Sequence, residues 1–130
     1  KIKNYTKDKN LYKILLNSDA LFMTLNKGDA LDNTIPGKFQ TYISFGKPII
    51  SNSNGVSGSI IAKSKIGFIN FPGDYKNLYK NLLKLKNISY NAKKNIYKRS
   101  NLLYMKYFEL SKNMNDLDKI FKKYMIKKDV

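Results

Sequence analysis

Several residue types are missing or nearly missing from this chain, and each absence removes a class of chemistry. Cysteine does not occur in the 130 residues, which excludes disulfides and thiol catalysis within them and fits a reducing compartment. Histidine is absent as well. Ser-His-Asp triads, imidazole general bases and zinc sites of the usual kind are therefore excluded here, and no metal cluster is visible. Arginine occurs only as Arg99 and glutamate only as Glu109. Readers of nucleic acid lean on arginine for bidentate contacts to bases and phosphates, so no specific nucleic-acid ligand is expected. No apolar run approaches the ~20 residues that cross a bilayer. The first residues, KIKNYTKDKN, are too polar for a signal peptide and include no initiator methionine; the expectation is a piece of a longer protein or a processed chain.

Lysine is what the chain has in abundance. Lys and Arg number 25 against 9 Asp and Glu, a net charge of +16. Such a balance suits anionic partners: nucleic acid, acidic lipid or a phosphorylated substrate. The same richness in Lys, Asn, Ile and Tyr is also what A/T-rich codons encode, in which case the charge serves solubility. Hydrophobic residues make up 42%, enough for the core of one ordinary domain. No repeat, linker or boundary divides residues 1–130, so they are taken as one domain.

Periodicity and punctuation give the order of elements. Residues 1–6 are too short to assign, although Ile2 can end a strand. Asp8 can cap a helix over 9–17 with Leu11, Tyr12, Leu15 and Leu16 on one face. Residues 20–24 form a short apolar run suited to a strand buried on both faces. A loop over 26–33 leads to a helix over Thr34–Phe45, whose Phe39, Tyr42 and Ile43 share a face. Gly46 ends that helix and Pro48 opens a strand over 48–51. The turn at Asn52–Gly55 precedes a short helix over 58–63, then a strand over 67–71. Asp74, in the turn Pro72-Gly73-Asp74, caps a helix to Lys86 with Tyr75, Leu78, Tyr79, Leu82 and Leu83 on one face. Ser89 caps a long helix to Ser111, with a stripe at Ala92, Ile96, Leu103, Tyr107 and Leu110. A last helix covers 115–125, and the tail KKDV frays. Strands alternating with helices predict an α/β fold with a Rossmann-like parallel sheet, flanking helices and further helices at the C-terminus. Three strands are fewer than the five or six of a complete doubly wound domain.

The stretch Thr34–Ser51, TIPGKFQTYISFGKPIIS, concentrates the chemistry. A helix entered through Thr34, Pro36, Gly37 and Lys38 offers backbone N–H groups, a hydroxyl and an ammonium at one end, a combination suited to phosphate. An ordinary capped helix with a solvent-facing lysine has the same local sequence. Asn54-Gly55-Val56-Ser57-Gly58 lacks any Walker or GxGxxG pattern and reads as a strand-to-helix turn. It still places Asn54 and Gly55 at the carboxyl end of a strand, where open α/β sheets bind ligands. The Tyr- and Lys-rich C-terminal third has the composition of a single-stranded nucleic-acid binder. Its helical spacing argues for packing between helices instead.

The same stretch carries a family resemblance. TIPGKFQTYISFGKPIISNSNG is similar to a segment of family 4 glycosyltransferases of the GT-B fold, which opens TIPSKFQ and turns on GKPI. Upstream, LYKILLNSDALFMTL resembles that family's strand ending in ADALLV. Downstream, IGFINFPGDYKNLYKNLLKL resembles its segment around PGD. The likeness runs over residues 8–110 and is nearest to the branch that builds bacterial cell-surface polysaccharides.

The resemblance implies the second half of a GT-B C-terminal, donor-binding domain. The first half and the acceptor-binding N-terminal domain would lie outside this chain, along with the Arg/Lys pair that neutralises the diphosphate. The partner implied is a nucleotide-sugar donor, UDP- or GDP-linked, with its diphosphate at Thr34, Pro36, Gly37 and Lys38. Many family members carry two Glu eight positions apart, one for the donor sugar and one for the ribose. Aligned on Gly46 these fall on Asn33 and Thr41, and neither is acidic. Gln40 or Thr41 could bind ribose as neutral partners, and Asp29 or Asp32 could replace the first carboxylate; a polar loop with no site role is the other reading. Val56 stands where the family has a Glu between two glycines. No catalytic residue is assigned, and no cofactor or metal is expected. The function implied is transfer of a hexose to a polysaccharide or lipid-linked acceptor, with the fragment inactive alone. The location implied is the cytoplasm, with the amphipathic lysine-rich C-terminal helices suited to contact anionic lipid at the inner face of the membrane. A non-catalytic basic module that binds nucleic acid or a protein partner is the alternative.

Overall fold

The structure is a computed structural model that describes residues 8–25, 32–53 and 55–125. Its elements are α1 (Asp8–Asn17), β1 (Leu21–Thr24), α2 (Gly37–Phe45), β2 (Ile49–Asn52), α3 (Val56–Ser64), β3 (Gly67–Ile69), α4 (Tyr75–Lys86), α5 (Tyr90–Tyr107) and α6 (Leu110–Met125). The readings made for Ile2, Asp29, Asn54 and the KKDV tail lie outside the described residues, as does most of the 26–33 loop, and the Asp8 side chain is likewise not described.

The α/β expectation holds. A three-stranded sheet runs in the order β1-β2-β3, parallel throughout, with Leu21 opposite Ile49 and Ile49 opposite Gly67. Parallel neighbours need a crossover, and α2 and α3 supply the two. Side chains alternate across a strand, so Met23 and Ile49 share a face. That face carries the core: Met23, Ile49, Phe39 and Ile43 of α2, Ile61 of α3, and Ile66 are all fully buried. On the opposite side, Phe22 and Ile50 border a cleft with Leu78 and Leu82 of α4.

Local chemistry places the turns. Gly46 ends α2 at φ 63, with its N–H donated to the Ile43 carbonyl at 3.0 Å. A Cβ there would strike the Tyr97 ring of α5, so both the left-handed backbone and the close approach call for glycine. The Asp74 carboxylate accepts the Asn77 N–H at 3.0 Å and Ser89 accepts the Ala92 N–H at 3.2 Å, so both expected caps are formed.

Several expectations are corrected. Helix α2 begins at Gly37 rather than Thr34, with Pro36 extended (φ −63, ψ 144) as the residue before it. Helix α3 begins at Val56, two residues early, because Gly55 takes the extended capping conformation. Strand β3 stops at Ile69, where the chain turns into Phe71–Asp74. Among the described side chains of α1 only Leu15 is buried, while Leu11, Tyr12 and Leu16 are exposed. In α4 the buried residue is Asn81, and Tyr75, Tyr79, Leu82 and Leu83 are exposed. The inward face of α5 is Ile96, Ser100, Leu103, Tyr104 and Phe108, not the stripe through Tyr107 and Leu110. Phe108 meets Phe39 edge-on at 6.3 Å.

The long C-terminal helix does not run to Ser111. It ends at Tyr107 with Phe108 capping it, and Glu109 heads a separate helix by accepting the backbone N–H groups of Ser111 at 3.0 Å and Lys112 at 2.6 Å. The single glutamate is thus an N-terminal cap.

Candidate functional site

The topology fixes where a ligand would meet the sheet. All strands run the same way, so the loops that follow them open on one edge, and α2, α3 and α4 start there. Ligands of open α/β sheets bind at this carboxyl edge.

Two of those loops touch. Gly55, which leads into α3, lies so close to the Asp32 backbone that a Cβ on it would collide with the Asp32 carbonyl and Cα. The contact brings the approach to α2 against the start of α3. Behind it opens a cleft of about 540 Å³ lined by Asp32, Asn33, Gly55, Val56, Ser59 and Lys63, together with Ile60. Asp32, Asn33 and Gly55 were singled out in the sequence. Ser59 and Lys63 were not. Their signal is helical spacing: Val56, Ser59 and Lys63 recur at three and four residues and so share a side of α3.

At the start of α2, Gly37 and Lys38 supply the first two backbone N–H groups, since Pro36 has none and the Phe39 N–H is donated to the Pro36 carbonyl at 2.9 Å. Gly37 and Lys38 are exposed and a Cβ on Gly37 would meet nothing within 4 Å, so this end is open to an anion. Thr34 lies in the same approach. Gln40 and Thr41 lie further along α2, exposed, and the Thr41 hydroxyl is donated back to the Gly37 carbonyl at 3.2 Å. A ribose contact from Thr41 would have to compete with that bond. Asn54, between Ser53 and Gly55, lies outside the described residues.

Polar groups are buried beneath the same edge. The Asn81 side-chain amide donates to Asn70 Oδ1 at 2.8 Å, and the Asn70 N–H donates to the Ser51 carbonyl at 2.8 Å. Ser53 Oγ accepts the Gly55 N–H at 3.3 Å. Ser51 Oγ, Asn52 Oδ1 and Ser57 Oγ are buried without a hydrogen-bond partner among the described residues. Buried polar groups are normally satisfied, so the end of β2 and the first turn of α3 retain hydrogen-bonding capacity.

Two features singled out in the sequence lie elsewhere. The Gly46-Lys47-Pro48 turn is at the amino edge of the sheet, in a cleft of about 390 Å³ with Tyr90, Lys93, Lys94 and Tyr97. The sole arginine is occupied: Arg99 Nε and Nη2 both donate to the Lys65 carbonyl, at 3.0 and 2.7 Å. That carbonyl ends α3 in a left-handed conformation, φ 52. Arg99 therefore closes a helix C-terminus. Tyr42 reaches back to the Phe22 carbonyl at 3.3 Å, and burial pushes its hydroxyl pKa up.

Among the described residues, no group of His, Cys, Asp and Glu could hold a metal, and no helix is long and apolar enough to cross a membrane. The lining of the carboxyl-edge cleft holds one carboxylate and one ammonium, Asp32 and Lys63. Its chemistry is that of binding an anion or a polyol. Comparison with protein-family models, curated proteins and solved structures finds no match to this chain.

Proposed function

We infer that this chain is the donor-binding part of a nucleotide-sugar-dependent glycosyltransferase of the GT-B type. The observation that carries this reading is the contact between Gly55 and Asp32, which joins the approaches to α2 and α3 at the carboxyl edge of a parallel sheet. The TIPGKFQ and GKPI resemblance supports it. On this reading the diphosphate of a UDP- or GDP-sugar lies over the start of α2. The Gly37 and Lys38 N–H groups would point at it and the Lys38 ammonium would add a full charge. Fixed N–H dipoles need no reordering as the leaving diphosphate gains charge, so the contribution to transfer is electrostatic. Asp32 and Asn33, in the cleft beside them, suit the sugar hydroxyls. The family's paired Glu are replaced by Asn33 and Thr41, so the hydroxyls would meet neutral partners at both positions. The acceptor would be held by a second domain, and the 130 residues alone would bind donor without transferring it.

The test is a titration of the chain with UDP and with GDP, followed by amide shifts, for the native protein and for Lys38→Ala. Shifts should gather at 32–38 and 55–59. Losing one charge-assisted contact should weaken binding by on the order of 1.5–3 kcal/mol, roughly ten- to a hundredfold. Shifts confined to α5 and α6, or affinity unchanged in Lys38→Ala, would overturn the reading.

A further inference from the structure

Helix α6 separates its apolar from its polar residues more sharply than any other described helix. Leu110, Met114, Leu117, Phe121 and Tyr124 recur at four- and three-residue steps and form one stripe along it. The rest of the helix carries Lys112, Lys119, Lys122 and Lys123 with Asp116 and Asp118. Nothing described covers the stripe: its residues range from 42% exposed at Leu117 to 70% at Leu110. The preceding helix adds Leu102, 70% exposed, and Met105, 51% exposed.

Charge says what would cover it. Both aspartates of α6 are paired within the helix, Asp116 with Lys119 at 3.2 Å and Asp118 with Lys122 at 2.7 Å. The chain as a whole carries +16. A helix of sharp apolar-polar separation, low overall hydrophobicity and lysine-rich polar face lies in the plane of a membrane interface, and each lysine near the surface adds attraction to anionic lipid. A second copy of the chain fits less well. Two bodies of the same high charge repel, and the 16 residues of α6 fall short of the roughly three to four heptads that a coiled-coil seam sustains.

We propose that α6 lies in the plane of an anionic lipid bilayer, with Leu117 and Phe121 among the acyl chains and its lysines at the headgroups. The inference rests on the exposed stripe and the chain's charge and stands apart from the nucleotide reading, since no nucleotide enters its test.

The chain has no tryptophan, so Phe121→Trp provides a fluorescent reporter at a position 58% exposed. Tyr90→Trp, at a residue 79% exposed on the first turn of α5, is the control. Vesicles of phosphatidylcholine with phosphatidylglycerol should blue-shift Phe121→Trp and leave Tyr90→Trp unmoved, and pure phosphatidylcholine should shift neither. In the Phe121→Trp background, Leu117→Asp should weaken partitioning about tenfold or more with an unchanged circular dichroism spectrum. Three outcomes would overturn the proposal. The first is no shift with the anionic vesicles. The second is an equal shift of both tryptophans, which marks adsorption of a basic protein as a whole. The third is a blue-shifted Phe121→Trp without vesicles in a chain that sediments as a dimer, which marks a second copy on the stripe.

Discussion

Asn81 of α4 donates its side-chain amide to the Asn70 Oδ1 just past β3, at 2.8 Å. The two residues are 5% and 1% exposed, so the bond is made out of reach of water. It fastens a helix with a mostly solvated apolar face to the end of the sheet, and it does so with polar groups.

Removing one partner should cost more than removing both. Asn81→Ala leaves the Asn70 oxygen buried and unpaired, and urea unfolding should show a loss of about 1–3 kcal/mol. The double variant Asn70→Ala, Asn81→Ala should lose less than the sum of the single changes, because the two groups share the bond. Strictly additive losses would show that the two side chains do not interact.

Gly46 and Gly37 bound the same helix and should respond oppositely to alanine. Gly46→Ala places a Cβ at positive φ, about 1–2 kcal/mol unfavourable, and drives it against Tyr97. Adding Tyr97→Ala should relieve the collision and leave the backbone strain. Gly37→Ala meets nothing and should be neutral or slightly stabilising, by up to about 1 kcal/mol. Thermal melts of the three variants check the order.

Gly55→Ala should push the Asp32 segment away from α3. Overpacking of this kind costs on the order of 1–3 kcal/mol. Amide shifts should change at 32–36 as well as at 55–59, and affinity for UDP and GDP should fall with them. A variant whose perturbation stops at residues next to 55 would show that the two loops are independent.

Glu109 gives the start of α6 a pH dependence. The Lys112 N–H first, and the Ser111 N–H after it, hold its pKa below the ordinary glutamate value. A carboxylate with a depressed folded pKa contributes stability that is fully present above its unfolded pKa and is lost as the pH falls through the folded one. Protection factors of amides 110–113, taken relative to the intrinsic exchange rate at each pH, should therefore fall on acidification through that range. In Glu109→Gln they should stay flat across it.

Local signals fixed much of this protein. The element order, the GKP and PGD turns, the caps at Asp74 and Ser89 and the parallel α/β class all follow from the sequence. Each of these depends on residues within one turn of one another: a left-handed glycine, a proline without an N–H, an oxygen three residues ahead of a free N–H. The entry to α2 through Pro36 and Gly37 was legible for the same reason. What tertiary structure alone decided involves partners far apart in the chain. Periodicity marked the leucines and tyrosines of α4 as its inner face, but Asn81 is inside, because only the folded chain brings it Asn70. Nothing local to Arg99 marks its partner, the Lys65 carbonyl 34 positions away, which α5 brings within reach. Asp32 and Gly55 lie 23 positions apart, and their contact needs the sheet to set both loops on one edge. The sequence predicts two helices at the C-terminus but sets their division after Ser111, whereas the chain divides at Phe108 and Glu109, with neither glycine nor proline to mark the place. It falls where the Phe108 ring meets Phe39, 69 positions away in the chain, and Glu109 takes the N–H groups that follow, and only the folded chain brings those two rings together.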